Sequence, residues 1–120
     1  MFGSLKILQG LGDVIVMRYT SNRLDELNLT PVAEFASHPV LEDITMPVKV
    51  KVDWMIGTIN AFDTNPAQVI VKDAAGDPLV AVRTVGKGKV VNFAFAPNFS
   101  NSGCLANDTV QHLILNSINW

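Results

Sequence analysis

The chain has 120 residues, one domain's worth, of which 48% are apolar and 17% charged. That balance excludes a disordered chain, and a net charge of −2 excludes any general electrostatic pull on nucleic acid or an anionic membrane surface. The single cysteine, Cys104, excludes an internal disulfide and a multi-cysteine zinc site.

The opening run from Met1 to Met17 is apolar but lacks the marks of a secretion signal. Only Lys6 supplies positive charge, Asp13 interrupts the run, and no small-residue cleavage site follows. No run reaches the roughly 18 consecutive apolar residues of a membrane span. With no disulfide pattern either, the expected location is cytoplasmic, with neither nucleic acid nor membrane as partner. Gly10 and Gly12 read as turn residues before a buried strand over Asp13–Tyr19, a β-branched apolar run. Thr20 to Thr30 is polar, with Leu24, Leu27 and Leu29 spaced for one helical turn at most, and Pro31 ends it. Val32 to Phe35 reads as extended.

His38 precedes Pro39, and the proline ring forces its predecessor out of the α region. Pro39 then suits the first turn of a short helix through Val40, Leu41 and Glu42. Val48 to Trp54 alternates strictly, with valines and Trp54 on one face and Lys49, Lys51 and Asp53 on the other. That is a half-buried strand whose lysines suit a sheet edge. Ile59 to Asp63 is weakly extended. Ala67–Lys72 and Leu79–Val85 form a hairpin around Asp73–Pro78, where Gly76 is free to take positive φ. After the tight turn Gly86–Lys89, the apolar run Val90–Phe95 predicts a central strand buried on both faces.

The polar loop Asn98–Asn107 leads to a helix beginning near Asn107 or Asp108. Asp108 and Gln111 fit a capping box, and Val110, Leu113, Ile114 and Ile118 form an apolar stripe. The chain ends on Trp120, which reads either as a terminal anchor or as the mark of a trimmed domain. The expected fold is one mixed α/β domain over residues 1–120: a strand-rich sheet with a hairpin and a C-terminal covering helix.

Chemistry-bearing residues are few. Cys104 lies eight positions before His112, about 12 Å by helical rise, too far for a thiol and its base. His38 reads as a turn-fixing loop residue and His112 as a surface residue. Glu42, Asp43, Asp53 and Asp63 are dispersed, and Gly10–Asp13 lacks the strand–loop–helix context of a phosphate cradle. Hence no catalytic residue, metal site or cofactor is expected. Three glycosylation acceptor patterns, at Asn28, Asn98 and Asn107, read as chance matches in an asparagine-rich chain. If the chain binds a small ligand, the loop after the last strand is the place, through Asn98, Asn101, Cys104 and Asn107.

Four segments carry a resemblance. Gly76-Asp-Pro-Leu-Val-Ala-Val82, Gly86-Lys-Gly-Lys-Val-Val-Asn-Phe93 and Leu113-Ile-Leu-Asn-Ser-Ile-Asn-Trp120, with His38-Pro39-Val40 upstream, resemble the closing part of class I glutamine amidotransferase-like domains. Similar domains include proteins of the trehalose-utilisation type and non-catalytic modules appended to some zinc carboxypeptidases and β-galactosidases. The likeness spans roughly residues 30 to 120. It implies part of a flavodoxin-like domain, a parallel sheet with helices on both faces plus the hairpin. Its cysteine nucleophile would lie on a strand-to-helix turn preceding this chain. The leading expectation is therefore a non-catalytic interaction module, completed by a second copy or by a missing N-terminal portion. The alternatives are the closing part of a hydrolase or amidotransferase whose nucleophile lies elsewhere, and a small-ligand binder.

Overall fold

The computed structural model describes residues 17–22, 26–52, 55–59, 67–95 and 104–120. Seven strands and one α-helix are present among them: β1 Met17–Asn22, β2 Glu26–Pro31, β3 Val48–Lys51, β4 Met55–Ile59, β5 Gln68–Lys72, β6 Pro78–Val85, β7 Gly88–Phe93 and α1 Asp108–Asn119. Short 3-10 turns occupy Ala33–Phe35, Pro39–Leu41 and Cys104–Ala106. A five-stranded sheet runs in the order β3-β2-β5-β6-β7, and β1 pairs with β4 in a second, two-stranded sheet. All these pairings are antiparallel. The mixed α/β class with a hairpin and a C-terminal helix is therefore present, whereas the parallel sheet implied by the resemblance is not found among the described residues.

Strand β2 replaces the expected polar, part-helical stretch. Leu27 and Leu29 are fully buried while Glu26 is exposed and Asn28 half-buried, so a period of two governs the segment instead of the three-residue spacing of Leu24 and Leu27. β2 pairs with β3 through Glu26–Leu29 and with β5 through Thr30 and Pro31. Where β5 stops at Lys72, the Asp73 carboxylate extends the ladder: its Oδ1 accepts the Asn28 backbone N–H at 2.8 Å. Just beyond, of the expected extended stretch Val32–Phe35 only Val32 is extended, and Ala33–Phe35 is instead a 3-10 turn, whose Phe35 N–H donates to Val32 O.

β3 takes up the lysine-flanked alternation and lies at an end of the five-stranded sheet, as expected. Val50 and Val52 are buried, and Lys49 and Lys51 face water. The Lys49–Glu26 ion pair, at 3.5 Å and exposed on both sides, contributes little. Of the expected strand Asp13–Tyr19, Met17–Tyr19 begins β1. Asp13–Val16, Asp53, Trp54 and Asn60–Asp63 lie outside the described residues.

The run Val90–Phe95 is not the central, doubly buried strand. β7 closes one end of the described sheet order, and Val90 to Phe93 are only half-buried. The strand sheltered on both faces is β6, where Leu79, Val80, Ala81, Val82 and Arg83 are buried in succession. Its position between β5 and β7, with β4 packed against it, accounts for that shelter. Both hairpin turns form where the glycines allow. Gly76 takes φ +91° in the β5–β6 turn, where its N–H donates to Asp73 O. Gly86 takes φ +57° at the first central position of the β6–β7 turn, as a two-residue hairpin loop of this hand requires.

The apolar core joins Leu27, Leu29, Val50, Ile70, Val71, Leu79, Val80 and Val82 from the sheet to Val40 and Leu41 from the turn and to Val110 and Leu113 from α1. Each fully buried leucine or valine contributes roughly 1.5–3 kcal/mol. α1 thus covers part of the core as expected. Its cap differs from the expected box: Asn107 is the N-cap, and its Oδ1 accepts the Thr109 and Val110 N–H groups at 2.9 and 3.3 Å. Gln111, which a capping box would turn back to the N-cap, instead donates its side-chain amide to Leu105 O. The expected stripe also ends early, since Ile118 is 75% exposed.

Candidate functional site

The proposed ligand loop divides on inspection. Asn98 and Asn101 lie outside the described residues, and Cys104 opens a 3-10 turn. Asn107 is engaged in capping α1, so its oxygen already serves two backbone amides. The loop residues the structure places are therefore turn and cap residues. Asn28, one of the glycosylation-pattern asparagines, sits inside paired β2. Among the described residues no group of three or more His, Cys, Asp and Glu side chains could hold a metal, and no helix is long and apolar enough to cross a membrane.

The residues that do converge come from three distant segments. His38 is the N-cap of the 3-10 turn Pro39–Leu41, with φ −63° and ψ 138°, the extended geometry that its following proline demands. Its Nδ1 accepts the Val40 backbone N–H at 3.2 Å, which places the ring proton of the neutral imidazole on Nε2. The expected role of fixing the turn is present, through acceptance of an N–H. Asn116, on α1, donates its side-chain amide to both carbonyls that leave this turn, Val40 O at 3.1 Å and Glu42 O at 2.9 Å. Four residues on, Trp120 lies on the same side of the helix and meets the His38 ring edge-on at 4.7 Å between centroids.

The β6–β7 hairpin supplies the third part. Lys89 Nζ donates to the Trp120 carbonyl at 2.8 Å and stands 4.8 Å from the centre of its ring. The indole therefore contacts an imidazole and an ammonium, and the end of α1 is held to both the turn and the hairpin. Trp120 is docked as an anchor against the turn and the hairpin. His38 is half-buried, and burial together with the Lys89 charge holds its imidazole below the ordinary value of 6.5. Beside this clasp, residues 36–39 and 41–43 line an open cleft of about 310 Å³ that includes Ser37, His38, Glu42 and Asp43. Asp43 has φ +57°, a left-handed conformation tolerated best by Gly, Asn and Asp.

Three of the four segments that carry the resemblance, His38-Pro39-Val40, Gly86–Phe93 and Leu113–Trp120, thus share one corner of the molecule. Each bond they make there holds the fold. The sequence reading missed Arg83, whose side chain is engaged and 5% exposed on β6. Its signal was an arginine directly after the apolar run Leu79–Val82. Compared with family models, curated proteins and solved structures, the chain matches none.

Proposed function

We propose that this chain is a non-catalytic interaction module of the amidotransferase-like kind, and that its partner is a second copy of itself. In this reading the antiparallel sheet and α1 are the closing part of a flavodoxin-like domain. The observation that carries the proposal is the outer face of α1. Leu115 is 57% exposed and Ile118 75%, on a helix whose one charged residue is Asp108. At 100° per residue, Gln111, Leu115 and Ile118 fall within about 60° of one another on the helical wheel. Asp108 falls on the same side but about two turns toward the start of the helix, so the end of the face around Leu115 and Ile118 is apolar, a poor water surface and a good protein surface.

A second copy fits this face because its Leu115–Ile118 end carries no charge and is self-complementary. Two helices crossing on a two-fold axis set Leu115 of one against Ile118 of the other, with no like charges opposed. A net charge of −2 adds little long-range repulsion between copies. The clasp supports the same reading: His38, Lys89 and Asn116 are occupied in holding α1 in place, which is what a helix presenting an interface needs.

The test is the mass in solution, by sedimentation equilibrium or light scattering, of the parent chain and of Leu115→Glu/Ile118→Glu. The parent is expected to be a dimer at micromolar concentration, and the double variant a folded monomer. A parent that stays monomeric there, or a double variant that still dimerises, overturns the proposal.

A further inference from the structure

We infer that the clasp at the end of α1 is a pH-sensitive latch: neutral His38 holds the last helical turn in place, and protonation at Nδ1 releases it. The geometry makes this a single-site event. Nδ1 accepts the Val40 N–H, and a protonated Nδ1 is a donor that must give up that bond. The 3-10 turn then loses its N-cap, and the fully buried Val40 loses the partner of its amide. The same turn presents the two carbonyls that Asn116 holds, so a shift in it is passed directly to α1. The proton also arrives beside an indole that already carries the Lys89 ammonium, which places two cations on one ring.

The charged groups around His38 act in both directions. From the β6–β7 hairpin, Lys89 opposes the proton, with Lys87 in the same turn. From its own segment, Glu42 and Asp43 line the adjoining cleft and favour it, and Glu34 lies in the preceding turn whose Phe35 carbonyl accepts the His38 N–H. From α1, Asn116 and Trp120 bring no side-chain charge. The helix's titratable residues, Asp108 and His112, lie toward its start. The net direction is downward, with burial the larger cause and Lys89 the second. A group whose folded value is depressed contributes stability that is fully present above its ordinary value of 6.5 and is lost as pH falls through the folded value. The latch therefore opens on acidification below 6.5 and stays closed above it.

The test is NMR of the full chain titrated from about pH 7.5 to 5, the range in which imidazoles change charge. It follows the His38 ring, the Trp120 indole N–H and amide exchange over Ser117–Trp120. Trp120→Phe assigns the indole signal, since the chain holds two tryptophans. The expected result is that the Trp120 signal moves with the His38 titration, and that exchange in the last turn rises by roughly tenfold once His38 is charged, the worth of one lost cap. His38→Asn keeps an acceptor for the Val40 N–H but cannot titrate, so it abolishes the transition. His112→Asn leaves the transition intact. Lys89→Gln raises the His38 midpoint, and that arm needs no change at His38 itself. A Trp120 signal that stays still while His38 titrates overturns the inference. So does a transition that survives His38→Asn, or a His38 midpoint that does not rise in Lys89→Gln.

Discussion

Asn116 shows how much one side chain can tie together. Its amide group has two N–H donors, and each meets a carbonyl of the turn that ends α1's docking site. Asn116→Ala leaves both carbonyls without that partner and is expected to cost about 1–3 kcal/mol in denaturant unfolding. Asn116→Asp is expected to cost at least as much at neutral pH, because a carboxylate only accepts and would face two further acceptors. An aspartate variant as stable as the parent would show that the two bonds carry no weight. Sequence alone made part of this visible. The four-residue spacing of Asn116 and Trp120 is that of one helix side, and His38 before Pro39 reads as the fixing point of a turn. That the three meet was not visible, because 76 positions separate Asn116 from the Val40 carbonyl and no local pattern encodes such a contact.

The β6–β7 hairpin was legible because its rules are local. Gly86 takes φ +57°, and no atom outside its chain neighbours comes within 4 Å of a Cβ added there. The cost of Gly86→Ala is therefore one of backbone conformation and not of collision, expected at about 1 kcal/mol by thermal or chemical unfolding. Gly88→Ala meets Val85 O at 3.3 Å, so the hairpin must give slightly to admit it. If Gly86→Ala proved as stable as the parent, positive φ would not be the reason for glycine there. The neighbouring strands were harder. Val90–Phe95 is the more apolar run, yet β6 is the strand buried along both faces. Hydrophobicity measures what a strand tolerates, whereas burial follows from how many neighbours it has. β2 was misread for a related reason, since two leucines in a polar segment suit a helical or a strand period until pairing chooses.

Across the molecule, the contrast between buried and exposed leucines separates what folds the chain from what it presents. Leu29 is fully buried between paired strands, while Leu115 is 57% exposed. Leu29→Ala is expected to cost about 2–5 kcal/mol. Leu115→Ala in the monomeric state is expected to stay within about 0.5 kcal/mol of the parent. Equal losses at both sites would mean that the outer face of α1 is part of the core. The antiparallel sheet, with its long-range pairing of β2 to both β3 and β5, makes the core a property of the whole domain instead of any one segment.

Composition, alternation and turn residues were enough to establish the mixed α/β class, the lysine-flanked edge strand, both hairpin turns and the closing helix, because each depends on contacts between near neighbours. The strand order, the burial of β6, the engagement of Asn107 as a cap and the meeting of His38, Lys89, Asn116 and Trp120 were decided by packing. Those outcomes join residues far apart in the chain, and only the arrangement of all the elements together specifies which of them touch.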